Sequence, residues 1–459
     1  MGGLNTTLFI GVQALDANQA ALTATANNIA NANTPGYTEE VAQLSENQEN
    51  DSSSGVSDGG VTLDGLESIR NELLNLQIQQ QTSQQSSANT QSTSLQQVET
   101  YFSSTGGDIA SALTSLSSNL AQLSASPTSS AAQQSVLSSG QNLAQAFNTT
   151  AQGLTSAQSA ADSQVTQTVA QINTLSQQIA QLNQQLSQTS TATNNGGTLE
   201  DQRDQLVQQL SALTGITVSQ SSEGEVITTG NGSALVMGGQ SFNLKTTTGS
   251  DGFQQVLDSN GKNITSSIQG GQLGGAIQVR DQVIPGYLSQ LNTLASQFAT
   301  AFNAAQAKGY DSNGNAGPPF FTVPTNSADA AAGISVALTS PSQVAISSDG
   351  SAGSNGNIAN LSAALTNALP SGQTAAGAYA NLVFQVGNDA SNASTQYTAI
   401  GQNLLQLTNL QSSQSGVNID DETSNLIRFQ TAYEAGARIV STIQQLNTVT
   451  LDMGTTGGY

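Results

Sequence analysis

Two clusters carry whatever acid–base chemistry this chain could perform: Glu200-Asp201-Arg203-Asp204 and Asp420-Asp421-Glu422. Paired carboxylates in different surroundings can divide the roles of general acid and general base. Histidine and cysteine are absent from all 459 residues, which removes Ser-His-Asp and Cys-His triads, zincin sites and the commonest base near neutral pH. The spacing of the carboxylates argues for something plainer. Glu200 and Asp204 stand four apart around Arg203, the interval of an ion network on a helix face. Asp420, Asp421 and Glu422 immediately precede an apolar repeat, where the helix dipole favours acids in the first turn. Asp311-Ser312-Asn313-Gly314-Asn315 begins like a calcium loop, but its glycine is misplaced and no acid stands at the twelfth position, so it reads as a turn. Gly270-Gly271-Gln272-Leu273-Gly274-Gly275 does not match the dinucleotide fingerprint. The expectation is a protein with no catalytic residue, no cofactor and no metal.

What the sequence holds instead is a set of apolar repeats. Leu8, Leu15, Leu22 and Ile29 recur every seven residues, with Val12 and Ala26 at intermediate positions, which lays one narrow stripe along a helix. At the other extremity Ile419, Leu426, Phe429, Tyr433, Val440 and Ile443 follow in steps of seven, three, four, seven and three. Gly436 lies among them, where a neighbour could approach closely. Both ends therefore read as coiled-coil-like helices, and these ten side chains are the expected assembly stripe. The first helix runs into Asn33-Thr34-Pro35-Gly36, which packs together the strongest local reasons for a helix to stop.

Helical spacing also occupies 69–98, the run Ile109, Leu113, Leu116, Leu120 and Leu123 before Pro127, and a longer stretch built on Val165, Ile172, Ile179 and Leu186. That stripe resumes at Leu199, Leu206, Leu210 and Leu213 after an Asn194-Asn195-Gly196-Gly197 break. From Gly215 short β-type runs take over at 216–218, 225–227, 234–237, 242–244 and 253–257. The expected fold is mainly α with an inserted small β domain. Residues 1–40 and 417–459 form a terminal coiled-coil core, 41–214 and 276–416 an elongated helical-bundle stalk with short strands near 318–347, and 215–275 the β insert.

With 30 acidic against 8 basic residues, the net charge of −22 repels phosphate backbones and anionic lipid headgroups. No nucleic-acid or membrane partner is expected. The first basic residue is Arg70, so a positive signal-peptide n-region is missing, and no apolar run approaches the roughly 18 residues of a membrane span. Absent cysteine suits an exported protein. Asp16 is the one charge in the first 38 residues, so a surface built there can pack against copies of itself without like-charge repulsion. Ordering such a helix costs on the order of 1 kcal/mol per residue, against roughly 2–3 kcal/mol for each buried stripe residue, so one helix alone is marginal. The expectation is ends that are mobile in the monomer and ordered in an assembly; the plainer alternative is a polar helix docked on its own domain.

The stop signal also carries a resemblance. Asn27-Asn28-Ile29-Ala30-Asn31 followed by Asn33-Thr34-Pro35-Gly36-Tyr37 is similar to the motif near the start of bacterial flagellar rod, hook and hook-associated proteins. Asp201-Gln202-Arg203-Asp204-Gln205-Leu206, Gly271 to Gly275 with Arg280-Asp281, Phe302-Asn303 with Gly309-Tyr310-Asp311, and Asn425 to Tyr433 resemble the FlgK type of hook-associated protein. The likeness runs along nearly the whole chain, loosely in the β region. It implies a structural protein at the hook–filament junction, outside the cell, exported by the flagellum's type III apparatus without a cleaved signal. It further implies a ring of copies with both termini lining a channel, hook protein on one side and the second junction protein on the other. A cytoplasmic export chaperone would bind the C-terminal helix. Two departures stand out: Glu39 and Glu40 follow Thr38 where many members carry a basic residue, and there is room for only one modest outer β domain. The rival readings are another axial protein such as hook or distal rod, an acidic coiled-coil surface adhesin, and a carboxylate-based peptidoglycan hydrolase.

Overall fold

The computed structural model describes residues 2–46, 59–102, 108–188, 196–221 and 224–456. The chain opens with α1, Gly2–Asn31, which ends where Gly36 takes the left-handed φ of 79°. A two-stranded antiparallel hairpin follows, β1 (Glu40–Glu46) with β2 (Val61–Ser68), and a bulge sits between Gln43 and Leu44. The extra residue is Asp64 of β2, which has no partner opposite Gln43 and Leu44, so Val61, Leu63 and Leu66 do not alternate regularly along that strand. That irregularity hides the hairpin in the sequence, where 41–68 is assigned to the stalk with no strand and helical spacing starts at 69; the structure places β1 and β2 there, ahead of α2, Glu72–Phe102.

The stalk continues with α3 (Ile109–Ala125), α4 (Ser130–Gln188) and α5 (Gly196–Leu213). The Asn194-Asn195 part of the expected break lies outside the described residues. At 59 residues α4 extends about 90 Å and serves two separate cores. Its first half, from Val136 through Leu154 to Ala161, joins Leu116, Leu120 and the phenylalanines near residue 300; its second half, from Val165 to Ala180, packs on Leu210, Ile227, Leu235 and Val256.

The β insert lies against that second half. β3 (Ile216–Ser221), β4 (Gly224–Thr229), β5 (Ala234–Met237) and β6 (Gln240–Ser241) form an antiparallel sheet in sequence order, and β7 (Lys245–Thr248) pairs with β8 (Gln254–Leu257). Residues 242–244, expected as a strand, are irregular. The side chain of Asn173 on α4 receives the Leu244 N–H at 2.8 Å and donates to its carbonyl at 2.9 Å, which occupies both backbone groups that a strand partner would need.

The chain returns through α6 (Gly271–Gln278), a π-helical turn at Val279–Val283 and α7 (Ile284–Gln306). Arg280 in that turn is 2% exposed and binds Asp162 at 2.7 Å, Asp281 at 2.6 Å and the Gln254 carbonyl at 2.7 Å, which ties stalk and β insert together. Past the short strand β9 (Phe321–Thr322), the one-turn α8 (Ala330–Gly333) and β10 (Ser335–Val336), α9 (Ile358–Thr366) leads to α10 (Ala375–Ser415). α10 lies along α2, with the Tyr379 hydroxyl donating to the Phe102 carbonyl. The last element, α11 (Ile419–Thr456), turns back along α1.

Candidate assembly interface

The two terminal helices pack antiparallel within one chain. A Cβ added to Gly11 would meet Val440 Cγ2 at 2.8 Å, one added to Gly436 would meet Leu15 Cδ2 at 3.2 Å, and Asn28 bonds Glu422 at the far end. Leu8, Leu15, Leu22 and Ile29 are half-buried on this side. On α11, Ile443 is buried, Leu426, Phe429 and Val440 are half-buried, and Ile419 and Tyr433 stay exposed at 49% and 39%. Val12 at 41% exposure and Ala26 lie beyond the stripe, on its open flank.

A second packed face of α1 escaped the sequence reading. Ala17, Ala21, Ala24 and Asn28 are at most 2% exposed, and they share a helix face with Ile10 and Gln13, which lie under Gly60 just before β2. The hairpin packs on α1. Only small side chains leave room for strands that close. The steps of four, three and four between these residues were visible in the sequence, but alanine carries too little hydrophobic contrast to draw attention.

Where α1 ends, the signature residues form a knot. The buried Asn28 uses its whole amide: Nδ2 donates to the Glu40 carbonyl and to Glu422 Oε1, each at 2.9 Å, while Oδ1 accepts from Glu40 N–H at 3.0 Å and from the Tyr37 hydroxyl at 2.9 Å. Asn31 donates back to the Asn27 carbonyl at 3.0 Å, and Ala30 between them is exposed. Pro35 offers its carbonyl to Gln205 at 2.6 Å, and at Gly36 a Cβ would strike that same Gln205 amide. Thr38 donates twice to Asp201, from N–H at 3.0 Å and from its hydroxyl at 2.8 Å. Arg70 then spans Asp201 at 2.8 Å and Asp204 at 2.9 Å, and Glu39 N–H reaches the Ser415 carbonyl at 3.0 Å. Four distant segments meet here: the end of α1, the start of α2, α5, and the α10–α11 connection.

The two acidic clusters of the sequence thus converge on one junction. Asp201 and Glu422 are buried in it, whereas Asp420 and Asp421 face water. Burial pushes the Glu39, Glu40, Asp201 and Asp204 carboxyls above their ordinary range, against the pull of Arg70 on the last three. Burial first and Glu40 second push the Tyr37 hydroxyl up as well. The arrangement uses its carboxylates as hydrogen-bond acceptors and ion-pair partners. Among the described residues no group of three or more acids is placed to hold a metal ion.

Comparison with known families follows the same division of the chain. The family model described as flagella basal body rod protein matches residues 8–38, that of the flagellar hook-associated protein FlgK helical domain matches 95–321, and that of the flagellar basal body rod FlgEFG protein C-terminal region matches 411–453. The central helical region is that of the FlgK family. Among curated relatives, flagellar hook-associated protein 1 of Escherichia coli K12 is 27% identical over 340 residues, covering 53% of this chain and 62% of the relative. The protein of that name from Bacillus subtilis 168 is 29% identical over 295 residues, covering 54% and 57%. The chain thus spans about three fifths of the length of the curated relatives it matches. A solved structure, the flagellar hook junction protein FlgK from Burkholderia pseudomallei, aligns with a TM-score of 0.67 over 74% of this chain and 100% of that one at 20% identity, a likeness of fold. The two terminal matches meet at the Asn28–Glu422 bond.

Proposed function

We propose that this chain is a structural, non-catalytic adaptor of the bacterial flagellum that joins hook to filament and assembles with copies of itself through α1 and α11. The observation that carries the reading is the junction knot. A force applied to the terminal pair passes from Asn28 and Tyr37 through Glu40, Thr38 and Asp201 to Arg70 and the stalk without crossing a flexible linker. An adaptor between two tubular polymers needs such a connection between the part that enters the tube wall and the part that projects from it. In this reading the chain lies outside the cell, after export without a cleaved signal. Copies form a ring between hook protein and the second junction protein, and an export chaperone holds α11 beforehand. Leu8, Leu15, Leu22, Ile29, Leu426, Phe429, Val440 and Ile443 hold the pair together, and Ile419 and Tyr433 remain for neighbours. No helix among the described residues is long and apolar enough to cross a membrane.

The test is a strain whose only copy lacks residues 1–30. The remaining chain is expected to keep the helical signal of its stalk by circular dichroism, while cells shed filaments and retain bare hooks. Filaments still attached to hooks in that strain refute the proposal.

A further inference from the structure

β3 is an outer strand of the insert's sheet, and among the described residues no strand pairs with its free edge. Gly230 N–H donates to the Gly215 carbonyl at 3.1 Å on the β4 side, and from there the register runs to the end of β3 without a bulge. Thr217 and Ser219 therefore spend their backbone groups on β4, while Ile216, Val218 and Gln220 turn theirs outward. The Glu225 carbonyl fixes the same parity. It stands opposite Gln220 and accepts from Gly238 N–H on the β5 side, away from β3. Three N–H groups and three carbonyls along one edge thus lack a strand partner. Natural edges of this kind are blunted by lysine, proline or a bulge. Ile216-Thr217-Val218-Ser219-Gln220-Ser221 has none of these.

A cleft of about 470 Å³ opens beside this edge, between β3, α2 and α5. Val218 and Gln220 reach it from the inward face of the sheet, so alternate side chains of a strand added beside β3 enter the same cleft. Its acids are Glu72, Glu200, Asp204 and Glu225, against only Arg70 and Arg203. Both guanidinium groups are already engaged, Arg70 by Asp204 at 2.9 Å and Arg203 by Glu225 at 3.1 Å. Glu72 is exposed and makes no ion pair among the described residues. It lies one helical turn from Leu76, which is 43% exposed on the same face of α2. A lysine stem can lie along Leu76 while its ammonium reaches Glu72.

We propose that the β3 edge and this cleft take an extended segment of another protein as an added strand, with a lysine or arginine at an inward position. Main-chain bonds to Ile216, Val218 and Gln220 hold the segment, and Glu72 with Leu76 selects the basic side chain. A second copy of β3 is the poorer occupant, because it brings its own cleft and sets one acidic surplus against another. The surface lies on the insert, apart from the terminal pair, and its occupancy does not depend on the junction role.

The probe is a capped peptide, acetyl-Thr-Lys-Thr-Val-Thr-Lys-Thr-amide, added to the purified full-length chain at about 1 mM while amide exchange is followed residue by residue. Exchange at Ile216, Val218 and Gln220 is expected to slow at least tenfold, while Thr217 and Ser219, already bonded to β4, keep their rates. The same peptide with glutamate in place of lysine should bind at least tenfold more weakly, and Glu72→Lys should reverse that preference. Val218→Pro removes the central outward N–H without touching the β4 ladder, and should abolish binding with exchange in β5 unchanged. Should that substitution loosen the sheet, a lysine peptide N-methylated on alternate amides makes the same comparison on the natural chain. No slowing at the three outward amides overturns the proposal, as does equal binding of the lysine and glutamate peptides. Slowing that needs no peptide and grows with protein concentration also overturns it, since the edge then belongs to a second copy.

Discussion

Phe298, Phe302, Phe320 and Phe321 in the stalk are each at most 1% exposed and pack with ring centroids 4.8–5.8 Å apart, while Phe9, Ile427 and Leu451 in the terminal pair remain 57–60% exposed. The stalk finishes its own core. The terminal helices spend one stripe on each other and leave other large apolar side chains in water, at roughly 1.5–3 kcal/mol of unrealised burial for each. The stalk too leaves large apolar side chains in water outside that core, Leu73 at 67% and Phe384 at 75%, but its four phenylalanines have no counterpart in the terminal pair. The difference predicts two transitions of unequal size, and the substitutions below test that separation.

The largest effect belongs to the stalk. Phe302→Ala removes a ring that touches both Phe320 and Phe321 edge-on, and should lower stalk stability by about 3–5 kcal/mol in urea unfolding. Hydrogen exchange in α1 and α11 should keep its pattern, because nothing in their contact depends on that core. A loss under about 1 kcal/mol, or collapse of terminal protection at equal stalk occupancy, would show that the two regions are one unit.

Next comes the knot. Asn28→Ala deletes four hydrogen bonds and leaves the buried Glu422 carboxylate without its donor, which should cost about 2–4 kcal/mol of local stability. Exchange in α1 and the hairpin should accelerate while α4 stays protected. Unchanged exchange in α1 would mean that the helix is held by the α11 contact alone.

A smaller effect follows from acid. Glu39, Glu40, Asp201 and Asp204 bind their protons more tightly in the folded junction than in an open chain, since burial raises all four. Their contribution to stability is fully present below the ordinary carboxylate range and is lost as pH rises through the raised folded values. Protection of α1, corrected for intrinsic exchange rates, should therefore be greater near about pH 5 than near about pH 8, with α4 unaffected. Protection that falls on acidification would mean that the Arg70 ion pairs outweigh desolvation.

Legibility in the sequence followed hydrophobic contrast. α3, α4 and α11 were plain because Leu, Ile and Val recur at helical intervals against Ser, Thr and Gln. The β1–β2 hairpin was hidden because a bulge breaks its alternation and Glu40, one of its inward residues, is an acid whose backbone bonds Asn28. Asn33-Thr34-Pro35-Gly36 announced that a helix stops, but not that Pro35 and Thr38 bind α5, since Gln205 and Asp201 lie more than 160 residues away and no local rule links them. The convergence of the two acidic clusters on Asn28 and Arg70 was invisible for the same reason.

Ile419 and Tyr433 sharpen the comparison with the smallest effect. They belong to the same repeat as Ile443, yet Ile443 is 6% exposed against 49% and 39% for the other two. Ile443→Ala should weaken the terminal pair by about 2 kcal/mol, whereas Tyr433→Ala should change the isolated chain by less than about 0.5 kcal/mol. The same two substitutions made in cells separate the roles. If Tyr433 contacts a neighbour, Tyr433→Ala loosens filaments under shear although the purified chain unfolds at an unchanged urea midpoint. If instead its effect on the single chain equals that of Ile443→Ala, the repeat on α11 is one continuous intrachain stripe, and Tyr433 is no part of a surface kept for neighbours.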